Sequence, residues 1–168
     1  MPVGGSFVGE RDEEGAVEKG ADQVEPQLQP VIEAMATLRR RCPWSSRQDH
    51  QSLEKYAREE TDELIVALED FMTAPTSENR AAVVEELGDV FYQVLFHSAL
   101  LDESSGHAYG HSLGAIIDGL EAKLIRRHPL AFTDEAGDEM ASLEDVEREY
   151  RRIKAEEKAA APGEDRTR

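Results

Sequence analysis

Apolar residues recur along this chain at three- and four-residue intervals and almost never in strict alternation, which predicts helices and no sheet. Val31, Ile32, Met35 and Leu38 form the first stripe, predicting a helix from about Gln29 to Arg41 that stops ahead of Pro43. "CPWSSRQDHQ" then reads as a loop. A second helix is predicted from about Leu53 to Phe71. "TAPTSEN" breaks it and supplies Thr76 or Ser77 as N-cap for a third helix reaching about Leu101. "DESSGHAYGH" reads as a turn-rich connector. Leu113, Ile116, Ile117, Leu120 and Leu124 mark a fourth helix ended by Pro129. Leu143, Val146, Tyr150 and Ile153 mark a fifth, opened by Ser142, with Glu144–Arg148 and Glu147–Arg151 as ordinary surface support. No internal repeat is present, and the pattern predicts an all-α helical bundle.

The second and third helices depart from ordinary amphipathicity. On a helical wheel Glu60 falls in the middle of the stripe formed by Leu53, Tyr56, Leu64, Ala67 and Phe71. Glu63 lies on its edge and Glu59 just beyond, while Asp62 points to solvent. On the third helix Glu86 falls within the stripe of Val83, Leu87, Val90, Val94 and Leu101, and Asp89 lies on a flank shared with Gln93 and His97. Each helix therefore offers one acid on the buried side and one at its edge, spaced E-x-x-E and E-x-x-D. A short connection favours antiparallel packing, which lets Glu60, Glu63, Glu86 and Asp89 converge.

Burying even one unpaired carboxylate costs roughly several kcal/mol. Four together stay partly neutral, pair with cations or bind metal. Lys55, Arg58 and Arg80 are the basic residues near these segments, and none repeats on the same faces. Metal is the economical solution, and all-oxygen ligation points to Mg²⁺ or Mn²⁺. Gly88, between Glu86 and Asp89, costs about 1 kcal/mol against alanine inside a helix; it fits close approach of a ligand or of a neighbouring helix equally well.

Length and charge narrow the function classes. A chain of 168 residues is one domain's worth, expected over residues 28–158. Residues 1–27 and 159–168 are polar, lack apolar periodicity and read as disordered tails. A formal net charge of −17 argues against a nucleic-acid partner, and a polyphosphate substrate would be repelled unless metal cations intervened. The single cysteine, Cys42, excludes an internal disulfide framework and a thiolate-rich zinc site and suits a reducing cytoplasm. No apolar run approaches the roughly 20 residues of a membrane span, and the opening "MPVGGSFVGERDEEG" has no secretory apolar core. The expectation is a cytoplasmic protein with no membrane partner.

Several weaker motifs carry little. His97 on the apolar stripe reads as a satisfied core histidine before it reads as a ligand. "HAYGH" spaces two histidines four apart, but Gly106 and Gly110 argue a loop. "GGSFVGER" has Glu10 and Arg11 where a phosphate loop needs Lys and Ser or Thr. A di-iron carboxylate bundle needs Glu-x-x-His pairs, and no histidine here has a glutamate three residues before it.

Three ordered blocks, "CPWSSRQDHQSLEKYAREETDEL", "VVEELGDVFYQVLFHSAL" and "KLIRRHPLAF", together resemble the MazG family of nucleoside triphosphate pyrophosphohydrolases, within the all-α NTP pyrophosphatase superfamily. The resemblance covers roughly residues 38 to 133. It implies Mg²⁺-dependent hydrolysis of a (d)NTP to the monophosphate and pyrophosphate, on a helical bundle whose core is completed by assembly into a homodimer or higher oligomer. The family's E-E-x-x-E motif falls on Glu59, Glu60 and Glu63, and its E-L-G-D motif on Glu86 and Asp89. The implied metal ligands are Glu60, Glu63, Glu86 and Asp89, with Glu59 as the water-activating carboxylate. "KLIRRHP" places Lys123, Arg126, Arg127 and His128 toward the phosphate chain or the partner subunit. Trp44 is the candidate to stack on a base, although a lone tryptophan at a loop–helix junction more often packs. Cations closing a helix, as Arg126, Arg127 and His128 do, are also favoured by the helix dipole without any ligand.

Two stretches depart from the family. Ser45 follows "CPW" where Asp is common, and "RHPLAF" stands for the common "RHPHVF". These changes bear on nucleotide selectivity and turnover, since the acid motifs are intact. The implied role is clearance of non-standard or excess nucleotides. The competing reading is a non-catalytic nucleotide-binding or helical scaffold module.

Overall fold

The computed structural model describes residues 28–132 and 141–160, and every regular element among them is helical: α1 (28–41), α2 (His50–Thr73), α3 (Ser77–Ser105), α4 (His111–Arg127) and α5 (Leu143–Ala160), with short 3-10 turns at Ser45–Arg47 and Pro129–Ala131. The all-α class agrees with the hydrophobic periodicity. The expected N-terminal tail, residues 1–27, lies outside the described residues, as do 161–168; α5 takes in Ala159 and Ala160. The chain divides into a unit ending at Ser112 and a unit beginning at Leu113.

Local hydrogen bonds decide where the helices begin and end. α2 starts before the first apolar residue because Asp49 accepts from the Ser52 amide at 2.8 Å while the Asp49 amide donates to Ser52 Oγ at 2.9 Å, a reciprocal cap. Thr76 is the N-cap of α3, its hydroxyl accepting from the Asn79 amide at 3.1 Å. Asn79 Nδ2 in turn donates to the carbonyls of Asp70 and Ala74, satisfying the end of α2 and keeping the connection tight. At its other end α3 runs past the expected stop at Leu101 to Ser105. Gly106, at φ 69°, supplies the left-handed residue that terminates it. The "DESS" assigned to the connector is therefore helical, and Asp102 within it is fully buried. Its two carboxylate oxygens accept from the amides of Gly110 and Ser112 at 2.9 and 2.8 Å, so α3 caps the start of α4.

The core of the first unit is Met35, Leu53, Phe96, Ala99 and Leu100, with Tyr56, Tyr92 and Tyr109 packed against it. α2 and α3 are joined by three residues and pack against one another. On both, the inward positions alternate three and four apart: Leu53, Tyr56, Glu60, Glu63 and Ala67 on α2; Ala82, Glu86, Asp89, Gln93 and Phe96 on α3. Run antiparallel, they pair as Leu53 with Phe96, Tyr56 with Gln93, Glu60 with Asp89, Glu63 with Glu86 and Ala67 with Ala82. The observed neighbours agree, since Leu53 and Phe96 share the core and Glu63, Ala67, Ala82 and Glu86 line one cavity.

Arg39 ties the loop after α1 to this core. Its guanidinium makes two 2.7 Å bonds to the carboxylate of Glu103, donates to the carbonyls of Ser45 and Gln48, and lies over the Phe96 ring. In the second unit Leu113 and Ile153 are buried. Glu157 on α5 accepts from Arg126 at 2.6 Å and from Arg127 at 2.7 and 3.0 Å. Ile116, Ile117, Leu120 and Leu124, the predicted stripe of α4 after Leu113, are each more than 40% exposed.

Candidate functional site

Three of the four acids expected to converge on the α2–α3 seam come together; Asp89 is not among the three. Glu60, Glu63 and Glu86 each offer one carboxylate oxygen, all within 4.8 Å of one another. Glu60 and Glu86 are half-buried and Glu63 is exposed. Asp89, half-buried, exerts the largest charge effect on Glu60. Glu59 is exposed beside them. Among the described residues none of the five is ion-paired with a Lys or Arg.

The electrostatics follow. Loss of water around Glu60 raises its pKa above the usual carboxylate value, and Asp89, Glu63, Glu86 and Glu59 push it further in the same direction. Glu86 is raised likewise by desolvation and then by Glu63, Asp89 and Glu85. Its Oε2 is buried with no hydrogen-bond partner. Buried carboxylate oxygens ordinarily have donors. A cluster of hard oxygen donors in which Glu60 and Glu86 are raised and one oxygen is orphaned fits a divalent cation such as Mg²⁺ or Mn²⁺. Beside it, on the side toward the α2–α3 turn, is a cavity lined by Asp62, Glu63, Val66, Ala67, Asp70, Ala82 and Glu86.

The remaining candidates lie elsewhere. Trp44 stands at the Tyr56–Phe96 end of the seam, edge-on to both rings with centroids 5.7 and 6.1 Å away, and keeps 45% of its surface exposed. Lys123, Arg126, Arg127 and His128 belong to the second unit. Lys123 is exposed. Both arginines are held by Glu157, and His128 Nδ1 lies 2.8 Å from the Leu124 carbonyl oxygen. Among the described residues a Cβ at Gly88 would meet nothing within 4 Å, so no close helix packing there calls for glycine.

Periodicity alone missed four participants. Arg39 and Glu157 are charged groups whose partners are distant in sequence, so no local pattern signals them. His50 pairs with His97, Nδ1 to Nδ1 at 2.7 Å with nearly parallel rings, an arrangement in which one imidazole donates and the other accepts; desolvation and then His50 lower the pKa of His97. Gln93 is buried on the seam, one turn beyond Asp89. The wheel had it on the acid flank, and its spacing from Glu86 and Asp89 was the available signal.

Comparison with known proteins bears on all of this. The family model described as the MazG nucleotide pyrophosphohydrolase domain matches residues 48–132. An uncharacterised 26.1 kDa protein from Streptomyces cacaoi is 38% identical over 131 residues, 78% of this chain and 49% of that protein. A nucleoside triphosphate pyrophosphohydrolase from Escherichia coli K12 is 32% identical over 120 residues, 70% of this chain and 40% of that one. The chain thus spans about half, or less, of the length of these curated relatives. The crystal structure of a mazG-related protein from Thermotoga maritima superimposes with a TM-score of 0.58 at 24% identity, covering 76% of this chain and 99% of that one, a likeness of fold. The matched segment contains both acid motifs, the seam between them and the "KLIRRHP" block. The chain belongs to the MazG nucleotide pyrophosphohydrolase domain family.

Proposed function

We propose that this chain is a divalent-metal-dependent nucleoside triphosphate pyrophosphohydrolase, converting a (d)NTP and water to the (d)NMP and pyrophosphate. The observation that carries the reading is the convergence of Glu60, Glu63 and Glu86 within 4.8 Å, with none of them ion-paired to a Lys or Arg among the described residues. Asp89 stands outside that three-carboxylate group but acts on Glu60 through its charge, and supplies the fourth carboxylate of the proposal. These four would hold Mg²⁺, or Mn²⁺ in its place. When bound, the metal neutralises the triphosphate and makes water a better nucleophile. Such a cation also answers the repulsion that a net charge of −17 presents to a polyphosphate.

The chain's own groups supply the rest. Glu59, exposed beside the cluster, orients the attacking water and accepts its proton. Trp44, with an open face at the aromatic end of the seam, stacks on the base. Lys123, Arg126, Arg127 and His128 are the cations offered to a phosphate chain or to a partner subunit; for the two arginines either role means exchanging Glu157 for a new partner. Attack at the α-phosphorus follows the family's reaction. The working assembly is a homodimer or larger. Val84, Leu87 and Phe91 form an exposed apolar strip on α3 beside the open space at Gly88, and α4 exposes a second such strip. Faces of this kind are suited to a second copy. The physiological role is removal of non-standard or excess nucleotides in the cytoplasm.

The test is incubation of the purified chain with each standard and damaged NTP in Mg²⁺, with detection of pyrophosphate and monophosphate. Release of single orthophosphate would reassign the reaction. Nucleotide binding without cleavage would favour the non-catalytic module.

A further inference from the structure

Three side-chain oxygens among the described residues are buried with no hydrogen-bond partner: Ser45 Oγ, Glu86 Oε2 and Gln93 Oε1. Glu86 belongs to the acid cluster, and Ser45 sits in the loop that Arg39 anchors. Gln93 has no such explanation. It is 7% exposed on α3, and a buried acceptor left unpaired is destabilising. Packing alone would favour Leu or Met at this position.

Its place in the seam suggests what the oxygen is for. Gln93 lies four residues beyond Asp89, about 6 Å along the helix axis at 1.5 Å per residue. The antiparallel register puts it in the layer of Tyr56, next to the layer of Glu60 and Asp89. Trp44 stands edge-on to Tyr56 in that same region. From one end of the seam to the other the order is carboxylates, carboxamide, aromatic rings. A nucleoside triphosphate has the matching order of phosphates, sugar and base.

We infer that Gln93 reads the nucleoside: its carboxamide oxygen accepts a hydrogen bond from a base N–H or a sugar O–H when the triphosphate lies on the acid cluster. The inference rests on the hydrolase reading above and extends it from the phosphates to nucleoside choice. A site with a buried polar group waiting for one ligand atom discriminates strongly against ligands lacking that atom, because the group is then left unpaired. Since Gln93 Oε1 is enclosed in the free protein, engagement requires the Tyr56 layer to open, and Trp44, the only tryptophan, reports it by fluorescence.

The experiment compares the full chain with Gln93→Met and Gln93→Asn in Mg²⁺. It measures kcat and KM for each ribo-, 2′-deoxy- and 2′,3′-dideoxynucleoside triphosphate, the inhibition constant of inorganic triphosphate, and melting without nucleotide. Gln93→Met is expected to melt no lower than the parent and to lose about 10- to 100-fold in kcat/KM for the preferred nucleotide, mostly through KM. Inhibition by inorganic triphosphate stays unchanged, and nucleotide binding no longer shifts Trp44 fluorescence as in the parent. Gln93→Asn, which keeps a shorter carboxamide, recovers part of the loss. If the base is the donor, the loss persists with dideoxynucleotides. If the sugar is the donor, dideoxynucleotides are already poor in the parent and the substitution adds nothing. An active parent whose Gln93→Met variant keeps kcat/KM for every nucleotide overturns the inference alone, as does an equal weakening for inorganic triphosphate or no recovery by Asn. A parent that neither binds nor cleaves any nucleotide overturns the hydrolase reading and this inference with it.

Discussion

The acids of this protein fall into two groups that the structure treats in opposite ways. Glu103 and Glu157 each meet arginine: Glu103 takes both arms of Arg39 and the Tyr109 hydroxyl, and Glu157 takes Arg126 and Arg127. Hydrogen bonds from Arg39 hold the Glu103 pKa below the usual carboxylate value, and those from Arg127 and Arg126 draw Glu157 down to about 2. Glu60 and Glu86 sit in a shallow burial of their own with only other acids for company, and both are raised. The first group stabilises the chain's own architecture. The second is arranged against the local electrostatics, and a cluster kept at such a disadvantage is a candidate for binding from outside.

The sharpest way to break this contrast is to remove a charge from the seam. Glu60→Gln and Asp89→Asn are each expected to abolish detectable pyrophosphate release in Mg²⁺ while leaving the helical circular dichroism intact. In EDTA the Glu60→Gln protein should melt at or above the parent temperature, because one source of repulsion is gone. Unchanged turnover in either variant would remove the assignment of these carboxylates as metal ligands.

Arg39→Met should do the reverse. It strips the partner from Glu103 and the donor from the carbonyls of Ser45 and Gln48, and is expected to cost about 1–3 kcal/mol in chemical denaturation, discounted for the partial exposure of Glu103. A loss much below that range would mean that the loop is held by Trp44 packing instead.

Acid titration separates the groups by sign. Glu157, with its pKa lowered from 4.5 to about 2, contributes stability that is complete above pH 4.5 and is lost as pH falls toward 2. His97 is also lowered, from 6.5, so its neutral form is favoured in the fold. Its contribution is complete above pH 6.5 and is lost as pH falls through the folded value. Stability curves of Glu157→Gln and His97→Gln should flatten in those respective windows; a curve parallel to the parent's in either would remove that group from the balance.

The smallest expected effect is that of metal removal on the fold. The core of Met35, Leu53, Phe96, Ala99 and Leu100 does not depend on the acids. EDTA should therefore lower the melting temperature only slightly while stopping hydrolysis. A large drop would make the seam a folding element as well as a binding site.

The five helices were legible because each carries a long apolar stripe; the reading missed at ends where chemistry replaced periodicity, and at the stripes of α3 and α4, where Leu87, Val94, Leu101, Ile116, Ile117, Leu120 and Leu124 are exposed. "DESS" reads as turn material residue by residue, yet Asp102 is consumed by the amides of Gly110 and Ser112 and the helix continues to Ser105. The inward bias of Glu60 and Glu86 was likewise visible on a wheel, since acids on an apolar stripe contradict their own solvation. Gln93 shows the limit. Its position on the acid flank was readable, but glutamine is an ordinary helix residue, and only burial without a partner sets it apart.

The sequence by itself determined the helices, because a 3.6-residue period is a local property. It did not fix the inward face of each, since Leu87, Val94 and Leu101 of the predicted α3 stripe and Ile116, Ile117, Leu120 and Leu124 of the α4 stripe stay exposed. Tertiary structure alone decided that Glu103 and Glu157 met distant arginines while the acids of the seam met each other. That depends on register between α2 and α3 and on bonds such as Arg39 to Glu103, whose partners lie far apart in the chain and leave no periodic trace in it.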